Sequence, residues 1–273
     1  MSNDAPRRAG DPLPIGVDET VILADDRGKH FLVRLDESRS FTYHRGELPH
    51  SEIIGRNEGE RVTTSGDGRL LILRPRLTDF IMKMKRGAQI VYPKDIGPIL
   101  VYADIGPGMT VVEAGTGSGA LAMMLARAVG PTGRLISVEQ RDDHARHAAR
   151  MIRRWYRGDV PGNVELRTAR VEDVIAEVCP SRIVLDLPEP WHALKEGAEH
   201  QPTGGVFCGY LPTVPQVERL VEGMRETGVY EEIEVKEFLM RDWNIDGRSV
   251  RPAHTMVGHT GFLVFARKVE GSL

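Results

Sequence analysis

The sequence predicts an α/β fold: a doubly wound, Rossmann-like sheet with an antiparallel pair at its C-terminal edge and a small all-β domain in front. Three observations predict it. A short apolar run, Met109 to Val112, meets Gly115, Gly117 and Gly119 at alternate positions and passes into the apolar stretch Ala120 to Ala126, which reads as strand, turn and helix start. Beyond that turn, apolar runs and helical patterns alternate, the signature of parallel strands joined by crossover helices. Before it, from about Thr20 to Leu73, short runs alternate with turn residues and show no helical period, which predicts antiparallel hairpins. The expected organisation is a flexible tail over 1–16, a β domain over 17–76 and the α/β domain over 77–273.

Composition bounds the function. The chain of 273 residues is long enough for one large domain and one small one. With 41% hydrophobic residues, 27% charged residues and a net charge of −3, it has no global basic signature, so any nucleic-acid surface has to be a local patch. Cys179 and Cys208 stand in no metal-ligand spacing; no metal site is expected, and a reducing cytoplasm suits this cysteine count better than a disulfide scaffold. The polar, proline-rich start lacks the apolar core of a signal peptide. No segment approaches the roughly 20 apolar residues needed to span a bilayer, so no membrane partner is expected.

In the β domain, Val21-Ile22-Leu23, Lys29 to Leu35 and Arg69 to Pro75 are the strands, with Asp25-Asp26-Arg27-Gly28 and Ser65-Gly66-Asp67-Gly68 as turns. The domain ends near Pro75 and serves either RNA binding or packing. From Thr78 the period turns helical, and after Gln89-Ile90-Val91-Tyr92-Pro93-Lys94-Asp95 a second helix runs from Ile96 to Ala103. Pro93 pushes Tyr92 out of the helical region and starts that helix. Tyr92 is either a half-buried packing aromatic or part of a site.

The glycine turn is a cofactor cradle. Glycines let the backbone approach a ligand closely, and the free N–H groups of the first helical turn point at it. Gly115-x-Gly117-x-x-Ala120 also fits a dinucleotide fingerprint. Glu113, at the end of the strand, would repel a pyrophosphate but not a cationic amino-acid moiety, so the cradle reads as one for S-adenosylmethionine.

The second strand, Arg134 to Val138, ends in Glu139, near the spacing at which such folds hold ribose hydroxyls; the lesser alternative is a helix cap. The helix His144 to Arg157 carries Arg146, Arg150, Arg153, Arg154 and Arg157 on one face with no acid among them, either a solvated face or a phosphate contact. The strand Val164 to Arg167 leads to Glu172 and Asp173, placed either to meet an adenine amino group or to complement a helix dipole.

The strand Ser181 to Leu185 runs into Asp186-Leu187-Pro188-Glu189-Pro190-Trp191. Its prolines hold the segment extended, so that Asp186 faces the cleft at the strand's C-terminal end, where open α/β sheets place their chemistry. Glu196 to Gly209 reads as loop, and Thr213 caps a helix to Met224. Glu231 to Leu239 and Gly261 to Arg267 are strands without a crossover helix, hence an antiparallel edge pair. The loop between them carries Arg241, Arg248, Arg251, His254 and His259.

These residues resemble the bacterial tRNA (adenine-58-N1) methyltransferases. The resemblance covers nearly the whole chain and rests on Gln89 to Asp95, Glu113 to Gly119, Asp186 to Trp191, and Arg251-Pro252 through Gly258 to Leu263. It implies a class I methyltransferase sheet, S-adenosylmethionine as cofactor, the tRNA T-loop as substrate and a homotetramer. It places the catalytic aspartate on Asp186, cofactor contacts on Val91, Ser118, Gly119, Ala120, Glu139, His144, Glu172 and Asp173, and Tyr92 near the target base. His144 departs from the arginine of relatives, which would make that contact depend on pH.

The expected reaction is direct in-line transfer of a methyl group to adenine N1, with ionised Asp186 accepting a hydrogen bond from the N6 amino group. Adenine N1 already carries a lone pair, so no covalent enzyme intermediate is needed. The rival readings are a methyltransferase for protein isoaspartyl groups or a small molecule, an RNA-binding subunit without activity, and a nicotinamide dehydrogenase.

Overall fold

The structure is a computed structural model that describes residues 8–271. Its contacts divide the chain into two units, residues 8–85 with 151–161, and residues 86–150 with 162–271.

The first unit is built on β1 (Thr20–Asp25), β2 (His30–Arg34), β3 (Ser40–Tyr43), β4 (Gly46–Pro49), β5 (Arg61–Thr63) and β6 (Arg69–Leu73), followed by α1 (Leu77–Lys83). An antiparallel sheet runs in the order β2-β1-β6-β5, and β3 pairs separately with β4. Central β1 is buried along its whole length, and Val21 and Leu23 pack with Leu35, Leu48, Leu70 and Ile72.

The tail expected over 1–16 needs correction. Residues 1–7 lie outside the described residues, but the chain from Gly10 onward is tied down. The guanidinium of Arg74, fully buried, donates to the carbonyls of Asp11 and Leu13 and, through Nε, to Glu19 at 2.6 Å. Ile15 is buried in the core. A guanidinium has five donors and cannot be buried with them unmet, so Arg74 draws this polar segment inward.

In the second unit, β7 (Thr110–Ala114), β8 (Arg134–Val138), β9 (Val164–Arg167), β10 (Arg182–Leu185) and β11 (Val206–Leu211) are parallel. The edge is antiparallel as expected: β15 (Phe262–Lys268) pairs with β11 on one side and with β12 (Tyr230–Glu237) on the other. The sheet order is β12-β15-β11-β10-β7-β8-β9. The chain leaves β7 toward β8 and β9 and then returns to β10 on the other side of β7. That reversal opens a crevice at the C-terminal ends of β7 and β10, where doubly wound sheets bind ligands. The helices are α2 (Pro93–Tyr102), α3 (Ala120–Val129), α4 (Asp142–Tyr156), α5 (Val171–Val178), α6 (Leu194–His200) and α7 (Val214–Glu226).

Three expectations fail. The loop read over Glu196 to Gly209 contains most of α6 and the first part of β11, a fully buried strand. Gly197 and Gly209 are packing positions, not breaks: a Cβ on Gly209 would stand 2.5 Å from Leu220 Cδ2, and one on Gly197 would strike the Tyr230 hydroxyl. The segment after Asp186 is not extended throughout, because Pro190 opens a 3-10 turn, Pro190–Ala193, which its fixed φ suits. The link between β12 and β15 is not all loop. It holds a hairpin, β13 (Trp243–Asp246) and β14 (Ser249–Pro252), that turns at Gly247, φ 53°.

Candidate functional site

Strands β7 and β10 end side by side, and their ends are joined: the Asp186 N–H donates to the Ala114 carbonyl at 2.9 Å. Gly115 follows in the left-handed region, φ 88°, and a Cβ there would overlap the Asp186 carbonyl oxygen. Only glycine meets both conditions. Gly119, φ 80°, turns the chain into α3, whose first residue, Ala120, is buried.

Glu139, just past β8, braces this turn. Its Oε2 accepts from the Gly117 N–H and its Oε1 from the Arg141 N–H, each at 3.0 Å. Each carboxylate oxygen keeps a lone pair for a further donor, such as a ribose hydroxyl. His144 Nδ1 lies 3.9 Å from Glu139 Oε2. Ser118 does not turn its hydroxyl to the crevice. Its Oγ accepts from the Gly87 and Ala88 N–H groups and donates to the Ala88 carbonyl, each at 3.1 Å, holding the approach to Val91 and Tyr92 against the turn. Val91 is buried, while Tyr92 is half-buried, extended (φ −75°, ψ 149°) and caps α2. The Arg86 guanidinium lies 5.6 Å from its ring.

A cavity of about 600 Å³ opens here, lined by Gly115, Val138, Glu139, Ala169, Glu172 and Leu187 among others. Glu172 reaches it from the first turn of α5, whereas Asp173 on the same turn is exposed and is absent from the lining. A larger hollow of about 810 Å³ between α6 and α7 is lined by Trp191, four glutamates, Lys195 and Arg219 among others, and has no glycine turn.

The crevice is rich in carboxyl groups. Burial, and then the charge of Glu139, pushes Asp186 up from 3.8 to about 7. Burial pushes Glu113 up from 4.5 to about 8; the hydrogen bond from Ser137 opposes this, and Asp186 and Glu139 add to it. Glu113 sits inside β7, fully buried, with Oε2 accepting from Ser137 and Oε1 unpartnered among the described residues. This corrects the sequence reasoning. Near neutral pH Glu113 is mostly protonated, and it is not among the residues that line the cavity, so it would not repel a pyrophosphate as a charge. The preference for a cation stands on other ground: burial, and then the negative charge of neighbouring carboxylates, raises Asp186 and Glu113, so a positive charge beside them would be stabilised by their ionised forms.

Helix α4 also differs from expectation. It begins at Asp142, so two acids precede His144 on it. Arg157 falls beyond its end, φ 58°, with its guanidinium on the Val17 carbonyl.

The sequence did not reveal a polar cluster that joins the start of α2 to β11 and the segment before β15. Buried Asp95 takes the Lys94 ammonium at 2.6 Å and the Thr260 hydroxyl at 2.6 Å, and Lys94 also donates to the Phe238 carbonyl. Tyr210 of β11 packs under Gly261, its hydroxyl beside Thr260 and Asp95 and its pKa pushed up by burial. The available signals were the apolar run Val206 to Leu211 and the segments Gln89 to Asp95 and Gly258 to Leu263 that carry the resemblance.

The strand-end crevice, the glycine turn and the strand-terminal acid on β8 together define a class I S-adenosylmethionine-dependent methyltransferase, and the comparisons with known proteins agree. Residues 69–250 match the family model described as tRNA methyltransferase complex GCD14 subunit, and residues 14–62 match TrmI-like N-terminal. The chain is 35% identical over 253 residues to the tRNA (adenine(58)-N(1))-methyltransferase TrmI of Thermus thermophilus, covering 92% of this chain and 98% of that one. Among solved structures, a SAM-dependent O-methyltransferase from Thermotoga maritima superposes with a TM-score of 0.89 at 32% identity, over 95% of this chain and 96% of that one. TrmI from Aquifex aeolicus, described as a tRNA (m1A58) methyltransferase, gives 0.82 at 28% identity, over 94% and 99%. The chain belongs to the TrmI family of tRNA (adenine-58-N1)-methyltransferases.

Proposed function

We propose that this protein transfers a methyl group from S-adenosylmethionine to N1 of adenine 58 in the T-loop of tRNA. The observation that carries the reading is Asp186 at the end of β10, its N–H on the Ala114 carbonyl and its own carbonyl against Gly115 of the glycine turn. The cofactor supplies an electrophilic methyl on a sulfonium.

The residues of the crevice fit that group. Gly115, Gly117 and Gly119 let it lie against the backbone, and the first turn of α3 offers N–H groups. Glu139 accepts from the ribose hydroxyls, and His144 borders the same nucleoside. Glu172, with Asp173 on the same turn, serves the adenine end. Val91 supplies apolar contact, and Ser118 and Ala120 fix the turn.

Asp186, once ionised, accepts a hydrogen bond from the N6 amino group of the target adenine. That pushes electron density toward N1 and stabilises the positive charge that develops on the ring. Guanine offers a carbonyl at that position and is rejected. A base paired in an intact T-loop hides its Watson–Crick edge, so the reading has it turned out into the pocket beside Tyr92. Alignment and electrostatics are what the protein contributes.

The protein acts as a homotetramer in the cytoplasm under this reading. Trp243, Ile245 and Val250 on the exposed β13–β14 hairpin support self-association. Both cysteines are free, and among the described residues no helix is long and apolar enough to cross a membrane. The test is incubation of unmodified tRNA with protein and methyl-labelled cofactor, followed by nuclease digestion and mass mapping. A label on N1 of adenine 58 supports the reading; a label on protein or on another nucleoside refutes it.

A further inference from the structure

Helix α4 carries an arginine row whose charges have no acidic partner. Arg146, Arg150 and Arg153 are exposed at successive turns of one face. Among the described residues none of them pairs with a carboxylate; Arg150 only approaches His147, at 3.4 Å. Elsewhere several arginines do find acids: the exposed Arg76 pairs with Asp79 and Arg134 with Glu165, and the half-buried Arg45 with Asp26 and Arg167 with Glu177.

Arg154, one turn after Arg150, is stranger. Its guanidinium lies 5.9 Å from the Phe80 ring centre, and its Nε is buried without an acceptor. The charged neighbour it feels is another cation, Arg34, and burial together with that repulsion lowers its pKa. Arg34 has its own acid, Asp18, at 3.2 Å. A guanidinium stays charged in proteins, so the fold holds a half-buried positive charge with no counter-ion. Asp142 and Asp143 sit at the far end of the helix, and Asp143 is engaged by Arg141.

We propose that Arg150, Arg153 and Arg154 of α4 bind the phosphodiester backbone of the substrate RNA, with Arg146 extending the track. The proposal rests on the tRNA reading above. A phosphate supplies what is missing: acceptors for planar, bidentate donors and a negative charge beside Arg154. From Arg146 to Arg154 the helix rises about 12 Å, which gives a track rather than a point. Phe80 keeps the Arg154 guanidinium in place before the anion arrives, which reduces the ordering cost of binding. Such contacts carry no sequence information; they set affinity and register, while the pocket at Asp186 selects the base.

The test is binding of unmodified tRNA by the full chain across a series of salt concentrations, with S-adenosylhomocysteine titrated separately. Wild type, R150Q/R153Q, R154Q and R154K are compared. The double variant should weaken tRNA binding and flatten the dependence of log affinity on log salt by about two, and R154Q by about one. R154K, which keeps the charge, should retain most of that slope. Cofactor affinity should not change in R150Q/R153Q, whose side chains are on the surface. Unaltered tRNA affinity and salt slope in that double variant, with the wild type binding tRNA, would overturn the proposal and leave the methyltransferase reading standing. Failure of the wild type to bind tRNA at all would overturn both.

Discussion

The carbonyl oxygen of Asp186 occupies the space that a side chain on Gly115 would need. The two strands of the crevice therefore meet backbone to backbone, and the glycine turn cannot shift without moving the residue proposed to grip the substrate. Gly115→Ala adds a clash to a φ of 88°. Strain of roughly 2 kcal/mol corresponds to a fall of about 5 °C in Tm. Cofactor affinity should collapse in the same variant. Thermal melts with and without S-adenosylhomocysteine check it, and full ligand-induced stabilisation would count against the cradle.

Asp186→Ala should reduce kcat by about a hundredfold or more while weakening cofactor binding far less. Single-turnover methylation and calorimetry separate the two effects. Near-normal turnover would remove Asp186 from the chemistry.

The pH profile follows from burial. Asp186 has to be ionised to accept from an amino group, and its pKa stands at about 7, so kcat/KM should rise through that region. Glu139 contributes to the upward shift. Glu139→Gln, followed as kcat/KM for the cofactor, should therefore move the acidic limb downward; a limb that stays put would mean that Glu139 does not govern Asp186.

Cofactor binding should release protons. Asp186 near 7 and Glu113 near 8 are partly or mostly protonated at neutral pH, and a sulfonium beside them favours the charged form. Calorimetry near pH 7 in buffers of different ionisation enthalpy should show proton release. A binding enthalpy independent of buffer would contradict it.

Glu113 also sets a stability slope. Its folded-state pKa, about 8, lies above the ordinary 4.5, so between those values the folded chain keeps a proton that the unfolded chain has lost. Stability should fall as pH rises across that window, by up to about 1.4 kcal/mol per pH unit, and level off above it. Glu113→Gln, which keeps an acceptor for Ser137, should flatten the slope in denaturant titrations at pH 5, 6.5 and 8. An unchanged slope would mean that the carboxyl ionises freely in the fold.

What could be read along the chain was what repeats or punctuates locally. The run before Gly115, the strand ending at Glu139 and the edge pair around β15 each show their period within a few residues. Strand β11 escaped because Gly209 looks like a break, when it is a point where Leu220 comes close. Residues 8–16 looked loose because Arg74, which holds them, lies far along the sequence. Asp95 and Thr260 lie in two of the segments that carry the resemblance, but no local pattern pairs them; they meet only across the fold.

The sequence by itself determined the alternation of strand and helix from β7 to β10, the antiparallel edge, the glycine turn, and the acids at the strand ends, because side-chain pattern and backbone allowance act over neighbouring residues. The tertiary structure alone decided that Asp186 presses on Gly115, that Glu139 braces Gly117, that Glu113 is buried and mostly protonated, and that Arg154 is a cation without an acid. Those depend on distance and burial between parts of the chain remote in sequence, and the free energy of a charge is set by what surrounds it in space.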